Sequence, residues 1–243
     1  MKGPVGFDLD LTLIDSRLAI MRSWQAVSAE TGVAIDLAEV DKRMGIKLED
    51  ETAFWFPPDE QEAAADCYRR HYVVLAPELT TLLAGATLAV AAVRAAGERA
   101  VIITAKHQVS VQPSLAAVRL EADEVFTHVH GPEKSAVLLR VGAAVYVGDS
   151  PPDMAAARQA GVAAVGVTTG SFPAAELRQA GADVTLASLH EFPSWYEGFR
   201  GGGGESGTDG DRRAEPGRPA VARRGGDQRV SPGEPPGRAG RDR

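Results

Sequence analysis

Short apolar runs alternate with helix-periodic stretches through most of this chain, and few folds accept that pattern. Lys2 to Asp8, Ala100 to Thr104, Val125 to His128, Ala143 to Val147, Val162 to Val167 and Asp183 to Leu186 read as strands. Helical patterns lie between them. One starts near Pro152 and stops at Gly161, with proline at the start and glycine at the end as helix ends prefer. The alternation predicts an α/β fold: a doubly wound, mostly parallel Rossmann-like sheet with crossover helices.

One stretch breaks the rhythm. From about Ser16 to Thr80 the pattern is helical throughout: Arg17 to Glu30, ended by Gly32, then Leu37 to Met44, stopped by Gly45, then Pro58 to Leu75. Some 65 residues are far too many for a connecting loop. The pattern predicts a small α-helical domain at 16–80, inserted into a core formed by 1–15 and 81–199. From 200 to 243 the composition changes again, opening on Gly201-Gly202-Gly203-Gly204 and continuing in Gly, Pro, Arg and acids. Such a segment buries too little apolar surface to offset its ordering entropy, which predicts a disordered tail. From Gly201 on it holds nine arginines against seven acids, a surplus of two positive charges, so the chain before it carries about -9 against the net -7 of the whole. The tail is either a solvated appendage or a weak contact for an anionic partner.

The chemistry concentrates at strand ends. Asp8 and Asp10 follow the first apolar run two residues apart, a spacing that puts both on one face of an extended segment. Two anions that close repel unless a cation or a shared proton lies between them. Gly148-Asp149-Ser150-Pro151-Pro152-Asp153 follows another run and opens a helix. Its two carboxylates either face the crevice of Asp8, where they would make an oxygen-rich site for a hard cation such as magnesium, or form an ordinary turn and helix cap. Thr104, with the backbone N–H of Ala105, suits a phosphate oxygen or a helix cap. Lys134, at a helix start, opposes the helix dipole unless it faces anions, and Lys106 competes for that role.

Taken together and in this order, these pieces resemble the four motifs of the haloacid dehalogenase-like (HAD) hydrolase superfamily. Phe7-Asp8-Leu9-Asp10-Leu11-Thr12-Leu13 is similar to motif one, Thr104 to motif two, Lys134 to motif three, and Asp149 with Asp153 to motif four. The resemblance spans about Lys2 to Leu189. The helical insert is similar to the C1 cap of the phosphoglycolate phosphatase-like branch. Motif one usually has glycine where this chain has Leu11, a change that adds bulk and removes no functional group.

The resemblance implies a magnesium-dependent phosphatase acting on a small phosphate monoester, phosphoglycolate-like or a sugar phosphate, through an aspartyl-phosphate. Asp8 would be the nucleophile and Asp10 the general acid and base. Thr104, Ala105 and Lys134 would hold the phosphoryl group. Asp8, the Asp10 carbonyl and Asp149 would hold the metal, with Asp153 either a further ligand or a support behind them. A phosphosugar mutase of the same superfamily is the alternative, disfavoured by Thr12, where such mutases often carry valine. A non-catalytic phosphate-binding or regulatory protein on the same scaffold is the other. Arg43 or Lys47 in the cap would meet a second anionic group on the substrate, or are solvated charges. Phe54-Trp55-Phe56 reads as packing. Cys67, placed among polar residues, and His107, His128 and His130 have no assigned role.

The acidic balance argues against a nucleic-acid partner. A single cysteine and the lack of a secretory pattern or an 18-residue apolar stretch point to a cytoplasmic protein with no membrane contact, monomeric or homodimeric.

Overall fold

The computed structural model describes residues 2–202. Its six sheet strands fall on the six expected runs, with ends that differ from them by up to three residues. The first, β1 (Val5–Phe7), stops before Asp8. The chain then turns through a two-residue strand β2 (Ile14–Asp15) into four helices: α1 (Arg17–Thr31), α2 (Leu37–Lys42), α3 (Leu48–Trp55) and α4 (Gln61–Leu79). It re-enters at β3 (Thr81–Leu82), which pairs antiparallel with β2. The rest alternates: α5 (Ala86–Ala95), β4 (Ala100–Ile103), α6 (Gln108–Val118), β5 (Glu124–Phe126), α7 (Pro132–Val141), β6 (Val145–Gly148), α8 (Pro151–Ala160), β7 (Ala163–Val167), α9 (Ala174–Ala180), β8 (Val184–Leu186) and α10 (Phe192–Gly201).

The main sheet is six-stranded and parallel, in the order β5-β4-β1-β6-β7-β8. The chain builds outward from β1 through β4 to β5, then returns to the other side of β1 at β6. The order therefore reverses between β1 and β6, and the crevice beyond the carboxyl ends of such strands is where doubly wound folds place ligands.

Alternation along the strands divides the core. Val5, Phe7, Ile102, Val145 and Val147 face one layer with α5 and α10, while Val101, Ile103 and Tyr146 face the other with Leu138 of α7 and Met154 of α8. Gly6 lies under Leu138 and Tyr146, each 2.9 Å from where a Cβ would stand. The α1–α4 layer has its own apolar cluster of Trp24, Val27, Val40, Phe56, Tyr68 and Tyr72. The Tyr72 hydroxyl shares a hydrogen bond of 2.9 Å with Ser114 of α6, tying this layer to the core.

Several elements depart from the sequence expectation. The 16–80 stretch has four helices, not three. The missing one, α3, has no side-chain cap to announce it, although Glu49, Asp50 and Glu51 suit its first turn. The helix expected from Pro58 begins at Gln61 and runs past Pro77 to Leu79, since a proline that near the end forfeits a single interior hydrogen bond. The helix from Leu37 ends at Lys42 rather than Met44. Of the aromatic run, Phe56 is buried in the helical cluster, while Phe54 is exposed. Cys67 is buried in that cluster too, with its thiol turned to polar neighbours, within 4.8 Å of ligand atoms of Glu30 and His71. The terminal helix α10 extends two residues past the expected core boundary at 199. Beyond Gly202, the segment expected as a disordered tail lies outside the described residues. Among the described residues no helix is long and apolar enough to cross a membrane.

Candidate active site

Three strands deliver the polar groups. Asp8 follows β1, Thr104 follows β4 and Asp149 follows β6, so all three emerge at the same edge of the sheet. Asp8 keeps register into the site through its own N–H, which donates to the Val147 carbonyl at 2.8 Å. Carboxylate oxygens of Asp8, Asp149 and Asp153 lie within 4.8 Å of one another, and all three residues are buried. Lys134 reaches them from the first turn of α7. Its ammonium donates to Asp8 at 2.7 Å and to Asp153 at 2.6 Å. Its opposition to the helix dipole is thus compensated by two anions at contact distance.

Asp153 is the most engaged of the three. One oxygen also accepts from the Tyr146 hydroxyl at 3.1 Å, and the other accepts from Ser150. Asp149 accepts from Thr12 at 3.0 Å. Burial pushes the Asp8 carboxyl up to about 7, with Asp153 and Asp10 adding to the rise against the pull of Lys134. Burial, then Asp153 and Asp8, also raises Asp149 well above the ordinary range. Burial alone would lower the Lys134 ammonium, but Asp153 and Asp8 more than reverse that. Three buried carboxylates against one lysine leave an excess of negative charge. A hard, oxygen-only donor set with that excess fits a magnesium ion.

Asp10 points to a second cation. It accepts from Ser16 and lies 3.0 Å from the ammonium of Lys106. Lys106 in turn donates to the Tyr72 hydroxyl at 2.9 Å. Burial would lower this ammonium, but Asp10 first and then Tyr72 and Tyr68 hold it above its ordinary value. The two lysines that competed for one role thus serve different carboxylates: Lys134 meets Asp8, and Lys106 meets Asp10.

The backbone around Asp10 has a feature the sequence reading treats only as bulk. Leu11 has φ of 60°, the left-handed region that favours glycine. This turn lets the N–H groups of Thr12, Leu13 and Ile14 fold back on the Leu9 carbonyl, and it presents Thr12 to Asp149. The loop after β7 closes the site from the other side. The Thr169 hydroxyl donates to the Leu11 carbonyl. A Cβ on Gly170 would stand 1.9 Å from an Asp149 carboxylate oxygen, so only glycine leaves that carboxylate its place.

Thr104 is buried and its hydroxyl accepts from the Lys106 N–H at 3.1 Å, closing a local turn. The helix that follows is capped instead by His107, whose Nδ1 accepts from Val109. Thr104 and Ala105 line a cavity of about 80 Å³ with Asp8 and Asp10, against the roughly 300–1,000 Å³ of a site for a drug-sized ligand. Arg43 lines it as well, paired with Glu51 at 2.9 Å. Lys47 is not in its wall and pairs with Glu133 of α7 at 2.8 Å. His107 and His128, expected to be incidental, stand edge to face in its wall with ring centroids 5.7 Å apart.

Ser16, Tyr146, Lys106 and Gly170 are site residues that the sequence does not single out for these contacts, because their partners are brought in by the fold.

Comparison with known proteins agrees with this architecture. The family described as haloacid dehalogenase-like hydrolase matches residues 5–136, and a second, HAD-hydrolase-like, matches 124–192. No curated protein matches significantly. Among solved structures, a candidate haloacid dehalogenase-like hydrolase from Bacteroides fragilis is 24% identical with a TM-score of 0.70, over 79% of this chain and 99% of its own. A predicted phosphoglycolate phosphatase from Haemophilus somnus is 21% identical with a TM-score of 0.70, covering 80% and 97%. A candidate β-phosphoglucomutase from Thermotoga maritima is 20% identical with a TM-score of 0.62, covering 81% and 99%. At these identities the structural likeness establishes the shared fold.

Proposed function

The chain belongs to the haloacid dehalogenase-like hydrolase family, and on that premise we propose that it is a magnesium-dependent phosphatase acting on a small phosphate monoester. The observation that carries this reading is the convergence of Asp8, Lys134 and Asp149 at the reversal point of the sheet, with Asp10 held apart on Lys106.

The two aspartates divide the reaction. An Asp8 oxygen attacks phosphorus and forms a P–O bond while the ester P–O bond breaks, and Asp10 gives a proton to the departing oxygen. Water then attacks the aspartyl-phosphate, Asp10 takes its proton, and inorganic phosphate leaves with the Asp8 carboxylate restored. Ser16 and Lys106 orient Asp10 for both transfers. Lys134 and Thr104, with the Ala105 N–H, take the phosphoryl oxygens, and Lys134 also steadies Asp8.

Asp8, Asp149 and the Asp10 carbonyl would hold the metal, and Thr12 and Gly170 keep Asp149 in place. Asp153 supports them by holding Lys134, its own oxygens being committed to Lys134, Tyr146 and Ser150. Magnesium there would offset the repulsion between an anionic nucleophile and an anionic phosphate. The helical layer of residues 16–80 acts as a cap that covers the leaving group.

The test is phosphate release from a panel of monoesters with and without magnesium, with Asp8→Asn as control. Turnover that needs both magnesium and Asp8 is the expected result. Metal-independent turnover, or full activity in Asp8→Asn, contradicts the reading.

A further inference from the structure

The cavity in front of Asp8 has two unlike ends. Beyond Asp8 and Asp10, the wall contributed by the helical layer is mostly apolar, with Trp24 of α1, Val40 of α2, and Met44 and Ile46 from the turn that follows. A leaving group bound to a phosphoryl at Asp8 lies against that wall.

The charges in the wall are already matched. Among the described residues the lysines and arginines lining the cavity are Arg43 and Lys106. Arg43 donates from Nε to Glu51 at 2.9 Å and lies over the Phe54 ring at 4.1 Å. Glu51 is buried, and its other oxygen accepts from Trp55 Nε1 at 2.7 Å. That fixes the carboxylate against Arg43 from both sides. Lys106 is held by Asp10. Each of the four carboxylates that line the cavity has a cation of its own: Asp8 meets Lys134, Asp10 meets Lys106, Glu49 meets Arg69 at 2.7 Å and Glu51 meets Arg43. A second anion on the substrate meets cations that are already matched by carboxylates, and would have to compete with Glu51 for Arg43. A polyhydroxylated leaving group fares no better: Ser110, His107 and His128 can meet some of its hydroxyls, but those packed on Trp24, Val40 and Met44 lose their water without gaining partners.

From this we infer that the substrate is a phosphate monoester of a small, uncharged and largely apolar alcohol, aryl or short alkyl, and that the Arg43–Glu51 pair is the device that turns away phosphorylated acids. The inference rests on the phosphatase reading and names the substrate class of that same site.

Equilibrium binding separates it from leaving-group reactivity. The full-length Asp8→Asn chain with magnesium is titrated calorimetrically with phenyl phosphate, phosphoglycolate and glucose 6-phosphate. Phenyl phosphate is expected to bind at least tenfold more tightly than either of the others. In a chain that also carries Glu51→Gln, Arg43 is released and phosphoglycolate should gain about tenfold on phenyl phosphate. Should that variant not fold, Ile46→Lys sets a cation on the apolar wall and should move the ratio the same way. Equal or tighter binding of phosphoglycolate or glucose 6-phosphate overturns the inference, as does a ratio unmoved by the folded variants. A lack of Asp8-dependent turnover on every ester instead sinks the phosphatase reading, so the two failures are distinguishable.

Discussion

Replacing Asp8 by asparagine should stabilise the metal-free protein while abolishing its turnover. A carboxyl whose folded pKa lies above its unfolded value binds its proton more tightly in the folded state. Such a group costs nothing below the unfolded pKa, and its penalty is fully developed above the folded one. For Asp8 those limits are 3.8 and about 7. At about 1.4 kcal/mol per pH unit, the penalty at pH 8 is on the order of 4 kcal/mol. Asparagine stands in for the protonated acid, so the attraction of Lys134 for the carboxylate is already inside that figure. The expected gain at pH 8 is roughly 2–4 kcal/mol, or about 5–15 °C in Tm for a chain of this size. The assay is thermal or urea unfolding of the two chains in chelator, from pH 4 to 8. The difference between them should shrink as pH falls from 7 towards 4. Magnesium should stabilise the parent, by about 2.7 kcal/mol at a hundredfold excess over Kd, and stabilise the variant less. The reasoning fails if the variant is the less stable chain at pH 8 without metal, or if the difference grows towards acid.

Asp10→Asn should lower turnover by roughly 10²- to 10⁴-fold, the usual worth of a positioned acid–base group, while magnesium binding followed by calorimetry stays close to that of the parent. Gly170→Ala should weaken magnesium binding measurably and cost about 1–3 kcal/mol in urea unfolding, because its methyl would collide with Asp149 at 1.9 Å and one of the two must move. Arg119→Gly should raise stability by about 1 kcal/mol with unchanged activity, since the exposed Arg119 ends α6 in the left-handed conformation, at φ of 52°, where glycine carries no steric cost.

The doubly wound sheet is legible in the sequence because its signal is local: each strand is a short apolar run, and each crossover has helical period. The strand-end placement of Asp8, Thr104 and Asp149 is legible for the same reason. What stays hidden depends on long-range geometry. Lys106 and Lys134 each follow a strand closely, and nothing local tells which one meets Asp8. The sheet order decides it by setting α7 beside β1's end and turning Lys106 towards α4. Leu11 shows a different limit. Its side chain is visible in the sequence and its φ is not, so the usual glycine at that place reads as small rather than as left-handed. The pairing of Arg43 with Glu51 hides for a third reason: the helix that carries Glu51 has no cap residue to mark where it begins.

The β2–β3 ribbon joins the two places where the chain crosses between the sheet and the helical layer. Ile14 pairs with Leu82 and Asp15 with Thr81, so the polypeptide leaves the sheet and returns to it at a single point. Every strand pairing of the six-stranded sheet is made by residues outside the interval between those two pairs. The ribbon therefore works as a socket. A different helical segment, spliced between Asp15 and Thr81, would inherit the edge that carries Asp8, Thr104 and Asp149, whose register it had no part in setting, and a new cavity wall becomes a matter of exchange rather than redesign.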